Sequence, residues 1–199
     1  MKVIIILVLV IISSCSPYKQ AKKDRDLEDM VKSHSINTPI IKENEVSLGE
    51  ATTKIIDTGK NRVDNIFLAC KKVSGIKLSP GEEFSFNNLT GKKNKTNGYK
   101  YAPVLINGEK SYGIGGGVCQ VSTTIYIAAL NAGLKITEHH NHSEPVAYAP
   151  YGKDATVVFG VKDFKFENNT DDDLYIYAWI KEGNVFSKII KKELEIINS

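Results

Sequence analysis

The sequence predicts an α+β domain, a mixed or antiparallel sheet with two main helices, on three observations. Its C-terminal third alternates Leu174, Ile176, Ala178 and Ile180 with Tyr175, Tyr177 and Trp179, the period of strands with one face buried. Two other segments, near residues 61–73 and 119–132, carry apolar residues at helical spacing. Between them, Asn107-Gly108 separates two short runs as the turn of an antiparallel hairpin does. At 199 residues, 42% hydrophobic and 25% charged, the chain has material for one such domain plus flanking segments.

Taken in order, the chain opens on Met1-Lys2 and an unbroken apolar run from Val3 to Ile12. That run is too short for a permanent span and reads as an export signal covering residues 1–14. Residues 15–45 are polar and charged and read as a tether, with Tyr18 as their one aromatic residue. The domain is expected over 46–182, with a C-terminal strand and tail over 183–199. Its first strand is placed at Ser47 to Asp57. Val63, Ile66, Phe67, Cys70 and Val73 then fall on one helical face, with Gly75 as the stop. Ser79-Pro80-Gly81-Glu82 is a turn, Phe84-Ser85-Phe86 a strand, and Asn87 to Gly98 a loop whose Lys92, Lys93 and Lys95 form a basic rim. The hairpin Tyr101 to Tyr112 leads into a glycine-rich stretch and the second helix, which Gly133 stops before a strand at Leu134 to Thr137. A further strand is expected at Thr156 to Phe159.

Candidate chemistry is concentrated in Gly113-Ile-Gly-Gly-Gly-Val-Cys-Gln-Val-Ser-Thr-Thr124. The glycines give a flexible approach to a helix whose first turn carries Cys119. Free N–H groups and the positive dipole end there favour an anion, so the thiol should ionise more easily than a free one. A cysteine in a helix also suits a small buried hydrophobe, and that reading stays open. Glu138-His-His-Asn-His-Ser143 holds three of the four histidines. One of them, His142 or His140, could serve as base for Cys119, with Asp154 orienting the imidazole. The alternative role for Asp154 is turn chemistry. A metal site built from His140, His142 and Cys119 lacks the paired-Cys or HExxH spacing of such centres, and no metal is assigned. A net charge of +3, with no basic helix, gives no reason to expect nucleic acid.

Ile12-Ser13-Ser14-Cys15 resembles the lipobox of bacterial lipoproteins. By that resemblance Cys15 is the lipidated first residue of the mature chain, and the protein sits on the outer face of the cytoplasmic membrane, held there by its N-terminal lipid.

A denser resemblance runs from about Val46 to Ile180. It rests on Asn61-Arg62, Asn65-Ile66, Leu78-Ser-Pro-Gly-Glu82 with Phe84-Ser-Phe-Asn87, Asn97-Gly-Tyr99, Ala102-Pro103, Gly115-Gly-Gly-Val-Cys-Gln-Val-Ser-Thr-Thr124, His142-Ser143 with Pro145-Val146, Asp154-Ala-Thr-Val157 and Phe166-Glu-Asn-Asn-Thr170. These are similar to the VanW-domain family. Some members of that family are regarded as cysteine-dependent L,D-transpeptidases that cross-link peptidoglycan stem peptides through an acyl-enzyme. The resemblance implies a single VanW-like domain with Cys119 as nucleophile, His142 as the best-matching base and His140 as the next. Gly116, Gly117, Val118, Gln120, Ser122 and Tyr99 are the residues expected to meet the substrate or the oxyanion, and no cofactor is implied. A non-catalytic wall-binding or glycopeptide-resistance accessory lipoprotein, and a peptidoglycan hydrolase using the same Cys and His, remain open alternatives.

Overall fold

The computed structural model describes residues 40–106 and 109–197. The export signal, Cys15, most of the tether and the Asn107-Gly108 turn therefore lie outside the described residues. A compact unit spans residues 43–195. A second unit, residues 1–42 and 196–199, includes only three described residues at the start of one strand and two at the end of another.

The fold is α+β. A four-stranded sheet has the order β1 (Ile40–Lys54), β9 (Asn184–Ile197), β8 (Leu174–Lys181), β2 (Ile76–Leu78), and both β9 and β2 run antiparallel to β8. A second sheet has the order β3 (Glu83–Ser85), β7 (Lys165–Glu167), β6 (Lys135–Glu138), again antiparallel. The predicted hairpin pairs β4 (Tyr101–Ile106) with β5 (Glu109–Ile114) as a two-stranded sheet of its own. The helices are α1 (Lys60–Val73), the single-turn α2 (Phe86–Thr90) and α3 (Val118–Asn131). β1 starts at Ile40, inside the stretch expected to be tether, and residues 184–191 of β9 pair with the whole of β8.

The alternation in β8 works as read. Leu174, Ile176 and Ala178 are buried, while Trp179 on the other face stacks on Phe186 of β9 at 5.5 Å. Helix α1 buries Ile66, Ala69, Cys70 and Val73, an i, i+3, i+4, i+7 stripe. Phe67 was expected on that stripe but is 60% exposed, because it lies about 100° around the helix from Ile66. Gly75 (φ 81°) and Gly133 (φ 68°) follow the two long helices in the left-handed region, as their predicted role as stops requires.

Two local expectations are corrected. Phe86 begins α2 rather than ending a strand, since the Ser85 hydroxyl accepts from Asn88 N–H and caps the turn. Residues 156–159 form no strand. Thr156 N–H donates to the His140 carbonyl, and only Val158 makes an isolated bridge, with Lys162.

Candidate active site

Helix α3 starts from Gly117, whose φ of 103° suits a residue without a Cβ. A side chain at Gly116 would strike the Pro103 carbonyl oxygen at 2.2 Å, and one at Gly117 would meet Ile66 Cγ1 at 2.9 Å. The two glycines therefore seat the helix start against β4 and α1 rather than clearing room for a substrate. Asn65 locks the turn by donating to the Gly116 carbonyl at 3.0 Å and the Lys100 carbonyl at 2.9 Å. Cys119 is the second residue of the helix and partly exposed.

The polar residues after it face inward. Ser122 donates to the Ala155 carbonyl at 2.7 Å, and Ala155 N–H donates to Thr123 Oγ1 at 2.9 Å. This clamp draws residues 154–157 along the helix start. As a result the Thr156 hydroxyl lies 3.8 Å from Cys119 Sγ and the Val157 carbonyl 3.7 Å from it.

Asp154 is the hub of the histidine run. One carboxylate oxygen accepts from His142 Nδ1 at 2.6 Å and from His142 N–H at 2.7 Å, and the other accepts from Asn141 Nδ2 at 3.0 Å. The Asp154 backbone carbonyl accepts from His139 Nε2 at 2.7 Å, and the His139 ring stacks on Tyr126 at 4.2 Å. The side chains of His142 and Asp154 are only 10% and 6% exposed. A carboxylate only accepts, so Nδ1 carries a proton and Nε2 is left for another partner. The same imidazole and the Cys119 thiol are near enough to influence each other's charge.

The electrostatics agree across the pair. Burial alone would push the Cys119 thiol up, but the hydrogen bond and positive charge of His142 outweigh it, with smaller help from Val157 and Thr156, and the thiol is lowered. Burial likewise disfavours the His142 imidazolium, yet Cys119 and then Asp154 outweigh it, and the imidazole is raised. Burial would raise Asp154, but the N–H and imidazole of His142 and the Asn141 amide hold it below the ordinary carboxylate value. Opposite shifts in thiol and imidazole favour a thiolate–imidazolium pair. Cys70 differs: burial pushes its thiol up to about 12, and it sits 2% exposed in the core. Neither cysteine is in a disulfide.

Several residues expected at the site do other work. His140 donates from Nε2 to Glu138 Oε1 at 3.0 Å and is not a partner of the thiol. Gln120 is 1% exposed, with its side-chain oxygen accepting from Arg62 and its amide donating to Thr53 and the Lys54 carbonyl. Ser122 and Val118 are buried. Tyr99 is 1% exposed, gives its hydroxyl proton to the Thr90 carbonyl at 3.1 Å, and is pushed up to about 12 by burial. The oxyanion donors narrow as well. Val118 N–H is taken by the Gly115 carbonyl and Gln120 N–H by the Gly117 carbonyl, which leaves the N–H groups of Gly116, Gly117 and Cys119 at this turn without an acceptor among the described residues.

Residues not foreseen as part of the site include Thr156, Asn141 and Tyr148. Burial pushes the Tyr148 phenol well up, and its oxygen is electrostatically coupled to Cys119. Beside His142 and Asp154 opens a small cavity of about 100 Å³, also lined by Asn141, Glu144, Pro145, Tyr151 and Gly152. Among the described residues no group of three or more His, Cys, Asp or Glu is placed to hold a metal ion.

The arrangement suits acyl transfer by a thiolate. A nucleophile at a helix start, an imidazole beside it and a buried carboxylate behind the imidazole recur wherever a thiol attacks an amide or ester.

Comparison with known proteins agrees with the motif reading. A family model described as VanW like protein matches residues 61–190. The chain is 38% identical over 152 residues to the uncharacterized protein YoaR of Bacillus subtilis (strain 168), covering 76% of this chain and 50% of that protein. It is 31% identical over 135 residues to the vancomycin B-type resistance protein VanW of Enterococcus faecalis (strain ATCC 700802 / V583), covering 65% of this chain and 49% of that protein. The chain thus spans about half the length of the curated relatives it matches. No solved structure matches it. The family match covers α1, α3 and the whole Cys119, His142 and Asp154 cluster, and on that match this chain belongs to the VanW-like family.

Proposed function

We propose that the protein is an exported cysteine acyltransferase that cross-links peptidoglycan stem peptides, an L,D-transpeptidase in reaction type. The observation that carries the proposal is the buried Asp154 carboxylate holding His142 Nδ1 at 2.6 Å while the same imidazole is coupled to Cys119. The peptidoglycan substrate is inferred from the family resemblance.

In this mechanism Cys119 thiolate adds to the carbonyl carbon of the third residue of a donor stem tetrapeptide. The oxyanion forms against the free Cys119 N–H, a donor worth roughly 3–4 kcal/mol in comparable sites. Collapse breaks the amide C–N bond, and the terminal D-alanine leaves after its nitrogen takes the proton from His142 Nε2. A thioester remains. An acceptor amine from a second stem gives its proton back to His142, adds to the thioester carbon and releases the thiolate. Asp154 keeps the imidazole in the correct tautomer throughout and balances its charge.

Residues 1–14 are proposed as a lipoprotein signal and Cys15 as the lipidated residue, placing the domain on the outer face of the cytoplasmic membrane. Two acyl chains on Cys15 would make that anchor firm. Cys15→Ala should release the protein or leave it unprocessed, and unchanged retention with normal processing would count against lipidation. The reaction itself is tested by incubating the purified protein with a disaccharide-tetrapeptide and resolving the products. Cross-linked dimer with released D-alanine supports the proposal. Free tripeptide with no dimer makes water the acceptor and the protein a hydrolase; unchanged substrate favours a non-catalytic wall accessory.

A further inference from the structure

Arg62 stands in the first turn of α1, and its side chain crosses to the start of α3. The stem lies against Gly117, where a Cβ would fall 3.0 Å from Arg62 Cγ. The guanidinium reaches the residue after the nucleophile, with Nη2 donating to Gln120 Oε1 at 3.2 Å. Gly117 and Gln120 bracket Cys119 in the chain, so this cation is seated on the helix turn that carries the sulfur. Both anchors are fixed. Gln120 is buried with its amide held by Thr53 and the Lys54 carbonyl, and Asn65 locks the glycine turn.

The charge is poorly answered within the chain. A guanidinium has five N–H donors. One is used, on a neutral amide, and among the described residues no Asp or Glu pairs with Arg62. The carboxylate of Asp64, two residues on, is taken by Lys60 at 3.0 Å and Lys100 at 2.7 Å instead. Arg62 Nε is buried with no hydrogen-bond partner. A buried donor of a charged group left in that state is costly, and its persistence points to a use for the position. Nη1 and the second proton of Nη2 are left to meet an anion from outside the chain. The Tyr148 phenol is electrostatically coupled to Arg62 and to Cys119 alike, in keeping with guanidinium and sulfur facing one space.

The acyl transfer set out above supplies such an anion. When Cys119 attacks the third residue of a donor tetrapeptide, the fourth residue is the leaving group, and its terminal carboxylate carbon lies roughly 4 Å from the attacked one. The outer edge of a guanidinium, Nη1 beside Nη2, matches the two oxygens of a carboxylate. We propose that Arg62 binds the terminal carboxylate of the donor stem peptide, and so selects donors whose residue after the attacked carbonyl ends in a free acid.

The proposal rests on the acyl-transfer reading of Cys119, and the experiment separates the two. The full chain is mixed with disaccharide-tetrapeptide, or with the same compound carrying a C-terminal carboxamide, and acyl-enzyme formation is followed by mass spectrometry of the Cys119 peptide in quenched samples. Both donors leave the same acyl group on the sulfur. The wild type should acylate faster from the acid than from the amide by roughly tenfold or more, the effect of one charge-assisted pair. Arg62→Met should slow the acid by that factor and leave the amide nearly unchanged, so that the preference disappears. Arg62→Lys keeps the charge without the fork and should keep part of the preference; it serves also if Arg62→Met does not fold. Equal rates from acid and amide in the wild type, or a preference that survives when Arg62→Met slows both donors alike, would overturn the role of Arg62 while leaving Cys119 as the nucleophile. A wild-type protein acylated by neither donor would overturn the acyl-transfer reading, and this proposal with it.

Discussion

Replacing Asp154 by Asn tests the scaffold of the site and its chemistry together. In the native site one carboxylate oxygen accepts two donors, His142 N–H at 2.7 Å and His142 Nδ1–H at 2.6 Å. An amide NH₂ at that position faces both donors with donors of its own. Each lost bond to a charged, buried group is worth about 1.5–3 kcal/mol. The imidazole can recover one by moving its proton from Nδ1 to Nε2, so the net loss should be about 3 kcal/mol. For a chain of this size that is a fall in Tm of about 6–12 °C, measurable by circular dichroism. The tautomer change has a second effect. With Nε2 protonated, neutral His142 cannot accept the Cys119 proton, and iodoacetamide reactivity at Cys119 should fall toward that of an ordinary thiol. The pH dependence fixes the sign. Asp154 is lowered in the folded state, so its stabilisation is present above the unfolded value of about 4 and is lost as pH falls through the folded one. Asp154→Asn should therefore reduce the loss of stability in acid. A variant within 2 °C of wild type at pH 7, with unchanged Cys119 reactivity, would refute the reasoning.

Four further outcomes are expected. His142→Ala should abolish the low-pH reactivity of Cys119 and turnover alike, whereas His140→Ala, which loses only its contact with Glu138, should leave the Cys119 profile in place. Gly116→Ala drives a methyl group to 2.2 Å from the Pro103 oxygen and should destabilise the domain by about 1–3 kcal/mol, seen as a lower urea midpoint. Native thiol titration should find Cys119 reactive and Cys70 silent, with Cys70 reacting only in denaturant. His142 is raised in the folded state, so the stability it contributes is full below about 6.5 and is lost as pH rises through the folded value; His142→Gln should flatten the stability curve over that window.

The parts of this molecule that could be read from sequence are those set by local rules. Helix α3 announces itself through glycines followed by an apolar run, and the place of Cys119 in its first turn follows from where the glycines end. Strand β8 declares which face is buried by simple alternation. His142 and Asp154 could be proposed as partners because their residue types complete a thiol's chemistry, although their meeting depends on the Ser122 and Thr123 clamp on Ala155. What could not be read is the direction of polar side chains. Gln120, Ser122, Thr123 and Thr124 look like a solvated helix start, yet all are buried because distant backbone and hydroxyl groups satisfy them. Lys93 looks like loop charge for the same reason: its acceptors, Asn87 and Thr90, belong to a turn whose helical character depends on the Ser85 cap. Residues 156–159 carry strand-like composition, but their backbone partners are a loop and a helix start, and β propensity has no means of showing that.

The claim at the centre of this account is that Cys119 carries the acyl group, and intact-protein mass spectrometry tests it most directly. The protein is mixed with excess disaccharide-tetrapeptide and quenched in acid before an acceptor can react. The account predicts an adduct equal to the muropeptide less its terminal alanine, located on the Cys119 peptide, labile to hydroxylamine and missing from Cys119→Ala. A wild-type protein that turns over substrate with no adduct at Cys119, or a Cys119→Ala variant that retains turnover, would contradict it.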